Sequence, residues 1–180
     1  VTMNQSALAV PDEGQPPEIG ALAEMPVFGG VSTDALAFLI ERADDVRVPG
    51  EEFFFREGET GGVMYVLRAG RVELQRFRDG AVERLGQLGP GDCFGEMALL
   101  DLYPRSASVK ALEDCSALAI SHGLLYELYG QSPEPFTMIM MNLARELSRR
   151  LREAHRHVVS AYNAPPRSRR HEQRARVPFV

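Results

Sequence analysis

The residues with the most chemical content lie together in Phe94-Gly95-Glu96-Met97-Ala98-Leu99-Leu100-Asp101-Leu102-Tyr103-Pro104-Arg105-Ser106-Ala107-Ser108-Val109. A glycine precedes a short helix-forming run that opens with a glutamate, and further on an arginine stands beside a hydroxyl. Backbone N–H groups at the start of a short helix can face an anion, and Gly95 lets a ligand approach closely. The planar fork of Arg105 can grip two phosphate oxygens. Glu96 repels a phosphate but accepts hydrogen bonds from a sugar hydroxyl. A carboxylate for the sugar and a guanidinium for the phosphate, nine residues apart, point to a ligand carrying both groups. Each residue also has a plainer reading. Arg105 could be a surface arginine after a proline turn, and Glu96 could pair with a helix arginine such as Arg150. Gly95 and Ala98 could serve only tight packing. Met97, Leu99 and Leu100 read mainly as core, with Met97 able to touch a ligand edge.

These residues need a scaffold, and the surrounding pattern supplies one. Phe53-Phe54-Phe55, Val63 to Leu67, and Val72/Leu74 set against Arg71, Glu73 and Gln75 read as strands. Gly58, Gly61-Gly62, Gly70 and Gly89-Pro90-Gly91 mark turns, and Asp79-Gly80 marks a hairpin. Two more strands are expected at 107–112 and 117–120. Short strands with frequent glycine turns predict a mainly β fold, an antiparallel barrel or double-sheet jelly roll with flanking helices. One helix follows Ser32-Thr33 with Leu36, Leu39, Ile40 and Ala43 on its apolar face. A long C-terminal helix begins near Pro133, where Phe136, Ile139, Met140, Leu143, Leu147, Leu151 and Ala154 form one stripe.

Composition sets the limits. The 180 residues suffice for one cored domain with extra segments at its ends. We expect a disordered segment over 1–25, the domain over 26–157, and a basic disordered tail over 158–180. No apolar run approaches the roughly 20 residues of a membrane span. With two cysteines, Cys93 and Cys115, and no secretory pattern at the N-terminus, a reducing cytoplasm is the expected location. The net charge of −5 is uneven, because residues 145–180 hold ten arginines against Glu146, Glu153 and Glu172. A basic end on an acidic body suits either a solvated tail or contact with nucleic acid or another partner. The four histidines all follow residue 121, so no metal site is expected within the β region, and no catalytic arrangement can be argued from spacing.

The Phe94–Val109 stretch resembles the phosphate-binding cassette of the cyclic-nucleotide-binding domain family, whose pattern reads Phe-Gly-Glu, a small apolar run, then Arg-Ser/Ala/Thr-Ala. Every position of that pattern is filled here. The likeness extends from about Phe28 to about Arg152 and includes Pro49-Gly50-Glu51, Arg56-Glu57-Gly58-Glu59, Ala69-Gly70-Arg71-Val72 and Gly89-Pro90-Gly91-Asp92. It implies a ligand rather than a cofactor: cAMP, or cGMP. It assigns Gly95, Glu96, Met97, Ala98, Arg105 and Ser106 to the ligand, with Glu96 on the ribose 2′-hydroxyl. Serine at 106 is typical of the bacterial cAMP receptors, while threonine there often accompanies guanine-type ligands. Arg150 and His155 are the implied helix contacts. In catabolite-activator-like relatives a threonine on this helix bonds the adenine amino group. Here Ala154 takes its place and cannot make the bond, leaving His155 beside it.

The same resemblance implies a homodimer seam along the last helix and an effector beyond it. We expect a sensor domain, not an enzyme, without the DNA-binding domain that catabolite-activator-like regulators carry after this helix. The alternatives are a fragment of such a transcription regulator, one that depends on a partner, or a degenerate domain kept for dimerisation or docking.

Overall fold

The computed structural model describes residues 17–163, with side chains over 18–156. The chain divides into two compact units, Val1–Glu146 and Leu147–Val180. In the first, α1 (Pro17–Ala23), a 3₁₀ turn (Pro26–Phe28) and α2 (Thr33–Arg42) precede strands β1 (Asp44–Val48) to β6 (Cys93–Phe94). The intervening strands are β2 (Phe53–Phe55), β3 (Val63–Ala69), β4 (Val72–Arg78) and β5 (Ala81–Leu88). Then come α3 (Glu96–Leu100), β7 (Ser108–Ala111), β8 (Cys115–Ser121), α4 (His122–Gln131) and α5 (Pro133–Asn163). Helix α5 crosses the boundary between units, and the described part of the second unit is its continuation.

The strands form two antiparallel four-stranded sheets, β1-β8-β3-β6 and β2-β7-β4-β5. The sequence expectation of a jelly roll holds, but the barrel does not close. No strand is shared, so each sheet keeps its own edges, and β6 is only two residues long.

Burial explains the two kinds of strand. Leu67, Phe94 and Ala117 of the first sheet meet Phe55, Val72, Val109 and Ala111 of the second in one core. The opposite face of the first sheet, with Met64, Val66, Leu118 and Ile120, packs on Leu22, Phe28, Leu36, Leu39, Leu128, Ile139 and Leu143 of the helices. A sheet covered on both faces needs continuous apolar runs, which β3 and β8 have. The second sheet is covered on one face, so β4 alternates Val72 and Leu74 with Glu73 and Gln75. The β4–β5 hairpin turns at Asp79-Gly80, whose φ values of 54° and 80° suit a tight hairpin turn.

The ends depart from expectation. Residues 17–25 are not disordered, because Ile19 and Leu22, three apart on α1, are buried in the helical core. At the other end the helix runs to Asn163, so residues 158–163, expected in the tail, are helical. Residues 1–16 and 164–180 lie outside the described part. Strand β1 and helix α4 are elements that periodicity did not suggest. Within the first unit, α5 is fastened by Asn142, whose Nδ2 donates to the carbonyls of Val27 (3.1 Å) and Gly29 (2.8 Å).

Candidate functional site

Gly95 joins β6 to α3 with φ 77° and ψ 3°, in the left-handed region that favours glycine. Its carbonyl accepts a 2.9 Å hydrogen bond from Nη1 of Arg105. A Cβ at Gly95 would lie 2.5 Å from that nitrogen, so the glycine is also what lets the guanidinium approach. Helix α3 then buries Glu96, Ala98 and Leu99 while Met97 and Leu100 stay exposed. The chain returns through Leu102, another positive-φ residue, to Pro104 and Arg105.

Arg105 is held from both ends. Its backbone N–H donates to Glu59 O (2.8 Å), and its carbonyl accepts from the Gly58 N–H (2.9 Å). Its guanidinium lies over the Phe55 ring at 4.0 Å, with Tyr65 at 5.9 Å. Phe55, Tyr65, Phe54 and Phe94 contact one another as an aromatic cluster that closes the floor beneath it. The residue is only 6% exposed. Its Nε is a buried side-chain atom with no hydrogen-bond partner among the described residues.

That arrangement is electrostatically incomplete. Burial lowers the Arg105 pKa from its ordinary value, and the nearby Tyr65, Glu59 and Glu96 only partly oppose the shift. A cation and an N–H donor are therefore kept out of water without full compensation. An anionic oxygen presented to Nε would satisfy the donor and offset the desolvation. The chemistry on offer is recognition of an anion, with a carboxylate, Glu96, buried in the same turn.

The structure brings the six cassette residues together. Gly95 touches Arg105, Ser106 Oγ lies 3.6 Å from Met97 Sδ, and Ala98 and Arg105 both border Gly61. Arg150 and His155 fall on the part of α5 in the second unit, and each unit is described by itself. Phe55, Tyr65 and Gly61 belong to the site, yet their sequence signals said only strand and turn. A surface cavity of about 640 Å³ elsewhere in the first unit is lined by Glu18, Asp45, Arg47, Arg68, Asp114 and Ser116. Its Arg68 is already paired with Glu18 (3.6 Å) and Asp45 (3.5 Å), so it offers an anion much less than Arg105 does. Among the described residues no group of three or more His, Cys, Asp or Glu is placed to hold a metal ion.

In this jelly roll a buried arginine donates to the carbonyl of the glycine that opens a short helix, an arrangement with a charged donor to offer a small anion. Residues 45–132 match the family model of the cyclic nucleotide-binding domain. The chain is 37% identical over 130 residues to a cyclic AMP receptor protein of Thermus thermophilus, a stretch covering 72% of this chain and 58% of the relative. It is 36% identical over 90 residues to a cAMP-dependent protein kinase regulatory subunit of Emericella nidulans, covering 50% of this chain and 21% of that one. A solved N-terminal domain of a transcriptional regulator from Streptomyces coelicolor is similar at TM-score 0.65 and 31% identity, covering 77% of this chain and 95% of that domain. The chain belongs to the cyclic nucleotide-binding domain family. It spans less than two thirds of the Thermus relative's length.

The packing around Arg105 is open to a direct test. A Cβ at Gly61 would stand 2.6 Å from Ala98 Cβ and 2.8 Å from Arg105 Nε. Gly61→Ala is expected to displace the guanidinium or Ala98 and to destabilise the fold by about 1–3 kcal/mol, read by urea denaturation. An unchanged midpoint would mean that Arg105 is not held where it is described.

Proposed function

We propose that this chain binds cAMP as a regulatory ligand, and that the cyclic phosphate is taken by Arg105. The observation that carries the reading is the buried guanidinium with its unpartnered Nε, set in a complete cassette. Ser106 and the backbone from Gly95 to Ala98 line the same turn, and Glu96 is the group for the ribose hydroxyl. Ser106 favours cAMP and leaves cGMP open. The names of the relatives support the choice, since the receptor and the kinase regulatory subunit are both described by cAMP. Those relatives are regulators, and we read this chain likewise as a sensor and not an enzyme. Its two cysteines are free and buried, which suits a reducing cytoplasm.

Helix α5 is the proposed output. Ligand contact from Arg150 or His155 would favour one disposition of the helix over another, and that is how occupancy would be passed on. The exposed Leu151, with Leu147 and Ala154 on the same stripe, is the surface we propose for a second copy. The arginines from Arg145 onward are the proposed contact with an effector, whether protein or nucleic acid. A second reading, part of a transcription regulator of the catabolite-activator class, is favoured by the likeness to the N-terminal domain of the Streptomyces coelicolor transcriptional regulator. A degenerate docking module is disfavoured by the preserved cassette.

Removing one member of a buried charge pair costs about 3–5 kcal/mol, so Arg105→Ala should weaken cAMP binding by roughly two to four orders of magnitude. Calorimetric titration measures this, and a variant that binds as tightly as the parent would reject the assignment. For the output, cAMP should slow amide hydrogen exchange both over Gly95–Ser106 and along Leu143–Ala154. Protection confined to the cassette would leave a binder without a switch.

A further inference from the structure

The β4–β7 ladder ends at Gln75 opposite Ser108, and β7 itself starts at Ser108. One residue further along β4, a side chain takes over from the backbone. Arg76 Nε donates a 2.9 Å hydrogen bond to the carbonyl of Ser106. Glu57 braces the arginine, with Oε1 3.7 Å from the same Nε and Oε2 accepting from the Phe77 N–H (3.3 Å). The Glu57 N–H in turn donates to Ser108 Oγ (2.9 Å), closing a ring around Ser106. Neither Arg76 nor Glu57 belongs to a hydrophobic core, and each side chain is 38% exposed.

We infer that Arg76 is a positioning residue for ligand recognition: its bond to the Ser106 carbonyl fixes the Ser106 backbone so that the hydroxyl stays beside Met97 and next to Arg105. The inference rests on the cyclic-nucleotide reading of the same site. Its physical basis is that Ser106 sits before β7 begins, where no ladder bond orders its carbonyl. A charged donor on that carbonyl is stronger than a neutral one and restrains the backbone from which the Ser106 hydroxyl projects. Without it, Ser106 must be ordered by the ligand itself, and that ordering weakens binding.

The test is calorimetric titration of cAMP into the parent, Arg76→Gln, Arg76→Lys, Glu57→Gln, Ser106→Ala and the Arg76→Gln/Ser106→Ala double variant, each with its ligand-free melting temperature. Loss of a hydrogen bond from a charged group predicts about a tenfold weaker affinity for Arg76→Gln. Arg76→Lys, which keeps a donor, should recover part of it. The double variant should be no weaker than the weaker single one, because both changes act through Ser106. Glu57→Gln should stay within about threefold, since it removes only a half-exposed ion pair. Parent-like affinity in Arg76→Gln, losses that multiply in the double variant, or an equal loss in Glu57→Gln would each overturn the inference. A fall in affinity that tracks the melting temperature across the set, Arg76→Lys included, would overturn it too. A parent that does not bind cAMP removes the underlying reading as well. A parent that binds while Arg76→Gln binds equally removes only this one.

Discussion

The Arg105 guanidinium lies over the Phe55 ring, donates through Nη1 to Gly95 O, and leaves Nε buried without a partner among the described residues. Much of the local structure follows from accommodating that group. Gly95 adopts a left-handed conformation and lacks the Cβ that would strike Nη1. Gly61 leaves room on the other side for Nε and Ala98. The turn at Gly58–Glu59 grips the arginine's own backbone from both directions. Together they hold a cation that is only 6% exposed. A protein gains little stability from such a group, because desolvation outweighs the nearby negative charge. Under the proposed function the arrangement is a binding site prepared in advance, in which the ligand completes the electrostatics.

The two-sheet scaffold is what makes this preparation possible. The first sheet is covered on both faces, by the second sheet on one side and by the helices on the other. It supplies Tyr65 and Phe94, while the second sheet supplies Phe55, so the aromatic floor is assembled across the sandwich. Ser106 lies where β7 has not yet begun, and a hydrogen bond from Arg76 substitutes for the missing ladder. The site therefore sits at the point where regular pairing stops, with backbone free to face a ligand and side chains from neighbouring strands ordering it.

Much of this was legible in the residues themselves. The cassette was readable because its chemistry is local: glycine, glutamate and arginine fall within a few turns of chain. The hairpin at Asp79-Gly80 and the helix over Leu36 and Leu39 were readable for the same reason. Strand β1 was not, since Asp44-Asp45-Val46-Arg47-Val48 buries only Val48 and so shows little alternation. Helix α4 was obscured by Gly123 and Gly130, and α1 by Pro17 and Gly20, although Leu124, Leu128 and Leu22 give both buried faces. The contacts of Arg105 with Phe55, Tyr65 and Gly61 span 40 to 50 positions, and no local pattern encodes them. Open sheets in place of a closed barrel likewise depend on long-range pairing.

The proposed partner of the Arg105 Nε–H, which has none among the described residues, is a phosphate oxygen of the ligand. A ¹H–¹⁵N correlation spectrum of the arginine Nε–H groups, titrated in parallel with cAMP and with adenosine, reads that proton directly. cAMP is expected to move the Arg105 resonance and slow its exchange with water, while adenosine, lacking the phosphate, leaves it in place. An Arg105 resonance unmoved by saturating cAMP, or moved equally by adenosine, would contradict it.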